Sequence, residues 1–175
     1  MKRTLLSLLM VLTALSAIAA EPRHRDPNVN SVNREPMRST FIVYPTTAKV
    51  RSGSAIDASP LYRSIDGEWR FLWLESVLTP NPANFAATNF DDSEWKTMPI
   101  PGMWELNGYG DPVYISHGWP WLNWADNTPP FPPKERNHKG LYRREIEVPA
   151  EWQGKQVYVH FGSVTSNITL WVNGH

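Results

Sequence analysis

Aromatic side chains recur at every second position in Trp69-Arg70-Phe71-Leu72-Trp73-Leu74, which places Trp69, Phe71 and Trp73 on one face of a strand. Asp66-Gly67, immediately before, is a turn dipeptide that delivers the chain into it. The alternation returns in the C-terminal third. Tyr142, Ile146 and Val148 alternate with Arg143, Glu145 and Glu147; Val157, Val159 and Phe161 alternate with Tyr158 and His160; Ile168, Leu170 and Val172 alternate with Asn167, Thr169 and Trp171. Turn compositions at 149–154 and 162–166 separate these three segments. Each has one apolar and one mixed face, as antiparallel strands covering a core require. No long amphipathic helix is visible; a short turn near 84–88 is the only helical hint. The pattern predicts an all-β chain folded as a β-sandwich.

Asn173-Gly174 is the strongest short hairpin signal, because both residues tolerate the positive φ of a type I′ turn. The sequence given stops at His175, so the returning strand is missing and the 167–172 strand would expose an edge. The expectation is a sandwich that is incomplete at its C-terminus.

The other end of the chain is different in kind. Lys2 and Arg3 precede an apolar run from Leu5 to Ala17, and Ala17-Ile18-Ala19-Ala20 supplies small residues for signal-peptidase cleavage. The run falls short of the roughly 20 apolar residues that span a bilayer. Residues 1–20 therefore read as a signal peptide, with no membrane anchor left after its removal, and the chain as exported to the periplasm or medium. Residues 21–40, polar, proline-containing and aperiodic, read as an extended arm. The sandwich domain is assigned to 41–175, opening with the apolar segment Phe41–Tyr44.

Composition narrows the function. Losing Lys2 and Arg3 turns 17 basic against 17 acidic residues into 15 against 17, a net charge of −2 without a basic stripe. Nucleic acid is not the expected partner. With no cysteine, the chain has neither a disulfide framework nor a thiol nucleophile. Its five histidines stand at 24, 117, 138, 160 and 175, without zinc-site spacing, and no metal site is expected. Phosphate-binding loop, dinucleotide fingerprint and serine elbow are all missing. Asp91 and Asp92 point different ways and read as turn or cap residues rather than an acid/base pair. Asp111 before Pro112 reads as turn chemistry, and Glu105 and Asp126 cannot be paired from sequence.

Residues 101–140 interleave Trp104, Tyr109, Tyr114, Trp119, Trp121, Trp124 and Phe131 with Gly102, Gly108, Gly110 and Gly118. A stretch of this length without periodicity carries function or packs on a partner. Trp119, Trp121 and Trp124 are candidates for stacking on a sugar ring. Trp69, Trp73 and Trp95 are assigned to the core.

Six segments together carry a resemblance. Asn33-Arg34-Glu35-Pro36 leads to Ser59-Pro60 and Leu61–Trp73; Phe90-Asp91-Asp92-Ser93-Glu94-Trp95-Lys96 leads to Ile100-Pro101-Gly102-Met103-Trp104-Glu105. Gly108–Tyr114, Pro129–Pro132, Gly140-Leu141-Tyr142-Arg143 and Leu170-Trp171-Val172-Asn173-Gly174 follow in order. Across about 33–175 the chain resembles the N-terminal sugar-binding domain of glycoside hydrolase family 2 β-galactosidases. The resemblance implies a jelly-roll sandwich that precedes an immunoglobulin-like domain and a catalytic TIM barrel. It implies retaining hydrolysis of terminal β-galactosides by the full enzyme, through two glutamates on the barrel about 5–5.5 Å apart. No catalytic residue falls in this chain, and the isolated chain is expected to be inactive. Magnesium and sodium serve such full-length enzymes; none is assigned to this part. In the family a loop after Pro-x-Tyr reaches the galactose pocket, commonly with an Asn. Here Pro112-Val113-Tyr114-Ile115-Ser116-His117-Gly118-Trp119 puts Ser116 at that position, so Ser116, His117 and Trp119 are the expected substrate contacts. Serine can bond a hydroxyl but reaches less far than Asn. Two further readings stay open: a free-standing exported carbohydrate-binding module, and a β-sandwich that binds protein through an open edge.

Overall fold

Gly67 enters the first strand with φ near +120°, a backbone conformation that side-chain-bearing residues rarely adopt, and the chain then runs extended. The computed structural model describes residues 26–39, 41–47, 58–112, 133, 136–165 and 167–175. Within them, β1 (Gly67–Leu74), β2 (Lys96–Ile100) and β3 (Lys139–Arg143) form an antiparallel sheet in the order β2-β1-β3. Two single-turn 3-10 helices, Glu105–Asn107 and Ala150–Trp152, lie outside the sheet. The fold is therefore all-β in character.

Register decides which side chains meet. Trp69 lies opposite Met98, Phe71 opposite Tyr142 and Trp73 opposite Gly140, so the alternating aromatics do share one face. Phe71 and Met98 are sealed from water at 1% and 0% exposure, and Leu141 and Trp95 complete the buried apolar set. Each such side chain contributes about 1.5–3 kcal/mol by leaving water. Trp95 is core, as its place in the sequence implied; Trp69 and Trp73 are only partly buried.

On the opposite face Arg70 and Arg143 are cross-strand partners, two cations directly across from each other. Like charges there repel. Asp92 resolves the conflict: Arg143 Nε donates to its Oδ2 at 2.9 Å, and Arg70 Nε lies 3.8 Å from its Oδ1. The remaining nitrogens of Arg143 donate to the carbonyls of Phe85 and Ala87, and Arg70 Nη1 donates to that of Trp95. The 85–95 loop is thus tied across two strands.

Three details differ from the pattern reading. β2 contains Pro99, whose missing N–H hides a strand from propensity arguments; β2 is an edge strand, where proline is tolerated. β3 stops at Arg143, and 144–149 run on without ladder pairing, so Ile146 and Val148 lie outside the strand. The alternating segments 157–161 and 167–172 likewise join no ladder among the described residues. Their Val157, Val159, Ile168, Leu170 and Val172 remain substantially exposed. Period-two alternation reports which face needs burial; a strand also needs a neighbour. The Asn173-Gly174 turn does form. Asn173 and Gly174 have φ of 51° and 87°, and Val172 and His175 exchange both backbone hydrogen bonds, at 2.9 and 3.1 Å.

Candidate functional site

Side chains gather most densely around Trp73, at the C-terminal end of β1. The Trp104 indole meets it edge-on at 4.8 Å between ring centroids, Tyr109 lies at 5.6 Å, and the His138 ring stacks at 4.7 Å with a 35° tilt. Phe71 underlies the group and contacts Tyr109 and Tyr142, each at 4.8 Å. Trp104 Nε1 donates to the Tyr142 hydroxyl, which gives a partly buried indole its partner. His138 Nδ1 lies 2.8 Å from the Glu75 carbonyl; a carbonyl only accepts, so this nitrogen carries the proton.

Two glycines make the cluster possible. A Cβ on Gly140 would stand 2.7 Å from Phe71 Cε2 and 2.9 Å from Trp104 Cζ2, inside van der Waals contact. Gly110 has φ of +72° and lies flat against Trp73, where a Cβ would meet the indole at 3.5 Å and His138 at 3.7 Å.

Burial leaves its mark on two ionisable groups here. It pushes the Tyr142 phenol above its ordinary pKa, against an opposing pull from the Trp104 hydrogen bond. It pulls Lys139 below its ordinary value; the ammonium donates to the carbonyls of Thr79 at 2.7 Å and Val77 at 3.4 Å.

Ser116, His117 and Trp119, the expected substrate contacts, lie outside the described residues, as do Trp121, Trp124 and Asp126. The acidic residues singled out from the sequence have structural partners. Asp91 accepts the Ser93 N–H at 3.0 Å in its own turn, and hydrogen bonds from Ser93 hold its pKa below the usual carboxylate value. Asp92 holds the two arginines. Asp111 pairs with Arg136 at 3.4 Å, which links two chain segments; the turn expected at Asp111-Pro112 runs on into residues outside the described ones. Glu105 opens an exposed 3-10 turn. A cleft between 63–65 and 144–147 encloses only about 70 Å³, against roughly 300–1,000 Å³ for small-molecule sites. Among the described residues no group of three His, Asp or Glu side chains is arranged to hold a metal ion, and no helix is long and apolar enough to cross a membrane.

Sequence reasoning placed Trp73 in the core and left Trp104, Tyr109 and His138 as scattered members of an aperiodic stretch. The available hint was the pairing of glycines with aromatics at Tyr109-Gly110 and Gly140, where a missing Cβ lets a ring approach.

A family model described as glycosyl hydrolases family 2, sugar binding domain, matches residues 62–175. A β-galactosidase of Priestia megaterium is 29% identical over 151 residues, and one of Lactobacillus delbrueckii subsp. bulgaricus is 32% identical over 150; each match covers 86% of this chain and 14% of the relative. A third, from Psychromonas ingrahamii, is 36% identical over 118 residues, 67% of this chain and 11% of the relative. The chain thus spans about one seventh of the length of the first two.

Proposed function

Since the chain belongs to the glycosyl hydrolase family 2 sugar-binding domains, we propose that it is a jelly-roll sandwich lending a sugar contact and packing support to β-galactoside hydrolysis, with no bond-breaking chemistry of its own. The observation that carries this reading is the family match running through the strands that build the Trp73 cluster. Retaining hydrolysis needs two carboxylates facing one glycosidic bond. Asp91, Asp92 and Asp111 are engaged in a turn and three ion pairs, which suits a supporting role. The acid and the nucleophile belong to a TIM barrel that follows an immunoglobulin-like domain in the full-length enzyme, and this domain buttresses that barrel. The sugar contact comes from Ser116, His117 and Trp119. The leader at 1–20 directs export.

Methyl β-galactoside titrated into the pure chain, followed by ligand-observed NMR and Trp emission, tests the reading. A contact that supplies only part of a pocket gives millimolar affinity, about 4 kcal/mol at 1 mM. Saturation in the low micromolar range would instead indicate a complete, free-standing carbohydrate module. No response at any accessible concentration would remove the sugar contact from the account.

A further inference from the structure

Two asparagines of the chain stand directly before glycine, at Asn107-Gly108 and Asn173-Gly174. Such a pair is chemically reactive, because a glycine without a Cβ lets its backbone nitrogen reach the carbonyl carbon of the asparagine side chain. Both asparagines are exposed, so access to water does not separate them. Their restraints do. Asn107 Nδ2 donates to the Met103 carbonyl at 2.8 Å, which holds the side-chain amide back over the preceding residues. The N–H groups of Asn107 and Tyr109 donate to the Trp104 carbonyl at 2.9 and 3.0 Å, and the Gly108 N–H donates to the Glu105 carbonyl at 3.4 Å. Tyr109 is packed in turn on Phe71 and Trp73. The Asn173-Gly174 turn is closed only by the two backbone bonds between Val172 and His175. Among the described residues neither the Asn173 side chain nor the Gly174 N–H has a hydrogen-bond partner.

We propose that Asn173 is a site of spontaneous deamidation, and that its conversion to isoaspartate opens the C-terminal hairpin and frees Trp171 from Phe85. The reaction is independent of any sugar contact. The Gly174 nitrogen attacks Cγ of Asn173; the N–Cγ bond forms as the Cγ–Nδ2 bond breaks, and the amide nitrogen leaves as ammonia with the Gly174 proton. Water then opens the five-membered imide. Cleavage at Cγ gives aspartate, and cleavage at the main-chain carbonyl gives isoaspartate, so the net change is amide plus water to carboxyl plus ammonia. Ring closure needs the Gly174 nitrogen turned toward Cγ, so the hairpin must open first. Two net hydrogen bonds slow that step by about 5- to 150-fold relative to an unfolded chain, and the two extra bonds at Asn107 slow it by about the same factor again. Either product adds a negative charge. Isoaspartate also inserts a carbon into the main chain of a two-residue turn, so Val172 and His175 can no longer exchange both bonds. That turn lies on the 85–86 segment: a Cβ on Gly174 would stand 3.6 Å from the Ala86 carbonyl oxygen, and Trp171 meets Phe85 edge-on at 5.0 Å.

The pure chain is aged in buffer and, in parallel, in denaturing urea, then digested with trypsin and followed by mass spectrometry. Asn107 and Asn173 fall on separate peptides, 97–134 and 156–175, and fragmentation localises each change. In urea both sites should react at a common rate. In buffer Asn173 should deamidate first, with isoaspartate in excess over aspartate and a rate that rises with pH, because the attacking nitrogen must lose its proton. Asn107 should stay intact over the same interval. Equal rates at the two sites in the folded chain overturn the proposal, as does protection of Asn173 beyond about 150-fold relative to urea. The isoaspartate form, separated by ion exchange, should lose the Trp171–Phe85 ring contact in NMR spectra. A retained contact would refute the opening of the hairpin.

Discussion

Gly140→Ala adds one methyl group at the most crowded point of the Trp73 cluster. The new carbon would sit 2.7 Å from Phe71 Cε2, 2.9 Å from Trp104 Cζ2 and 3.1 Å from Tyr142 Cε2. Carbon atoms pack at about 3.5–4.0 Å, so three rings must each withdraw by roughly half an ångström or more. Their neighbours restrict how far they can move. Phe71 is 1% exposed, Trp104 is held by Tyr142 and Trp73, and Tyr142 is packed on Phe71. Overpacking of this kind costs about 1–3 kcal/mol. Restricting the unfolded chain by replacing glycine returns about 0.4–1 kcal/mol. The net loss is about 1–2 kcal/mol, which with a urea slope of about 1–3 kcal/mol per molar lowers the midpoint by roughly 0.3–2 M. Gly162 is the control. Its Cβ would meet only His160 Nε2, at 3.9 Å, so Gly162→Ala should be neutral or slightly stabilising. Urea melts of the three proteins decide it. A Gly140→Ala chain as stable as the wild type would show that the rings are not packed as described.

Other perturbations follow from the same contacts. Asp92→Ala leaves Arg70 and Arg143 facing each other without their shared anion, and should cost about 1.5–3 kcal/mol in the same melts, the range for hydrogen bonds to charged groups. Alkaline titration separates two opposing groups. Tyr142, with its pKa raised, keeps its proton in the folded state, so its contribution is complete below pH about 10 and is lost as pH rises through the raised value. Lys139, with its pKa lowered, works oppositely, and its penalty is relieved as pH climbs toward the unfolded value. Tyr142→Phe should therefore flatten the alkaline fall in melting temperature and Lys139→Met should steepen it. Mass spectrometry of the exported protein should find a mature N-terminus beside Ala20 if residues 1–20 are the leader; retention of Met1 would remove export from the account.

Much of the sheet was legible in the sequence because periodicity and turn chemistry act locally. The Trp69–Leu74 alternation and the Asn173-Gly174 dipeptide each specify their geometry within a few residues, and both form as read. β2 was not legible, because Pro99 argues against a strand unless its edge position is already known. The 157–161 and 167–172 alternations were read as strands from face polarity alone, which says nothing about partners. Asp92 was read as a turn or cap residue, and its role as the anion between two register-paired arginines depends on a strand pairing that links residues far apart in sequence. The Trp73 cluster was hidden for the same reason. Trp73, Trp104 and His138 are brought together by tertiary contact, with only glycines as a local trace.

The division of labour proposed here, contact without chemistry, is tested most directly by a nitrophenyl β-galactoside assay on the pure 175-residue chain. The account predicts nitrophenol release indistinguishable from buffer at every chain concentration. Release that rises in proportion to chain concentration, and survives repeated purification, would contradict it.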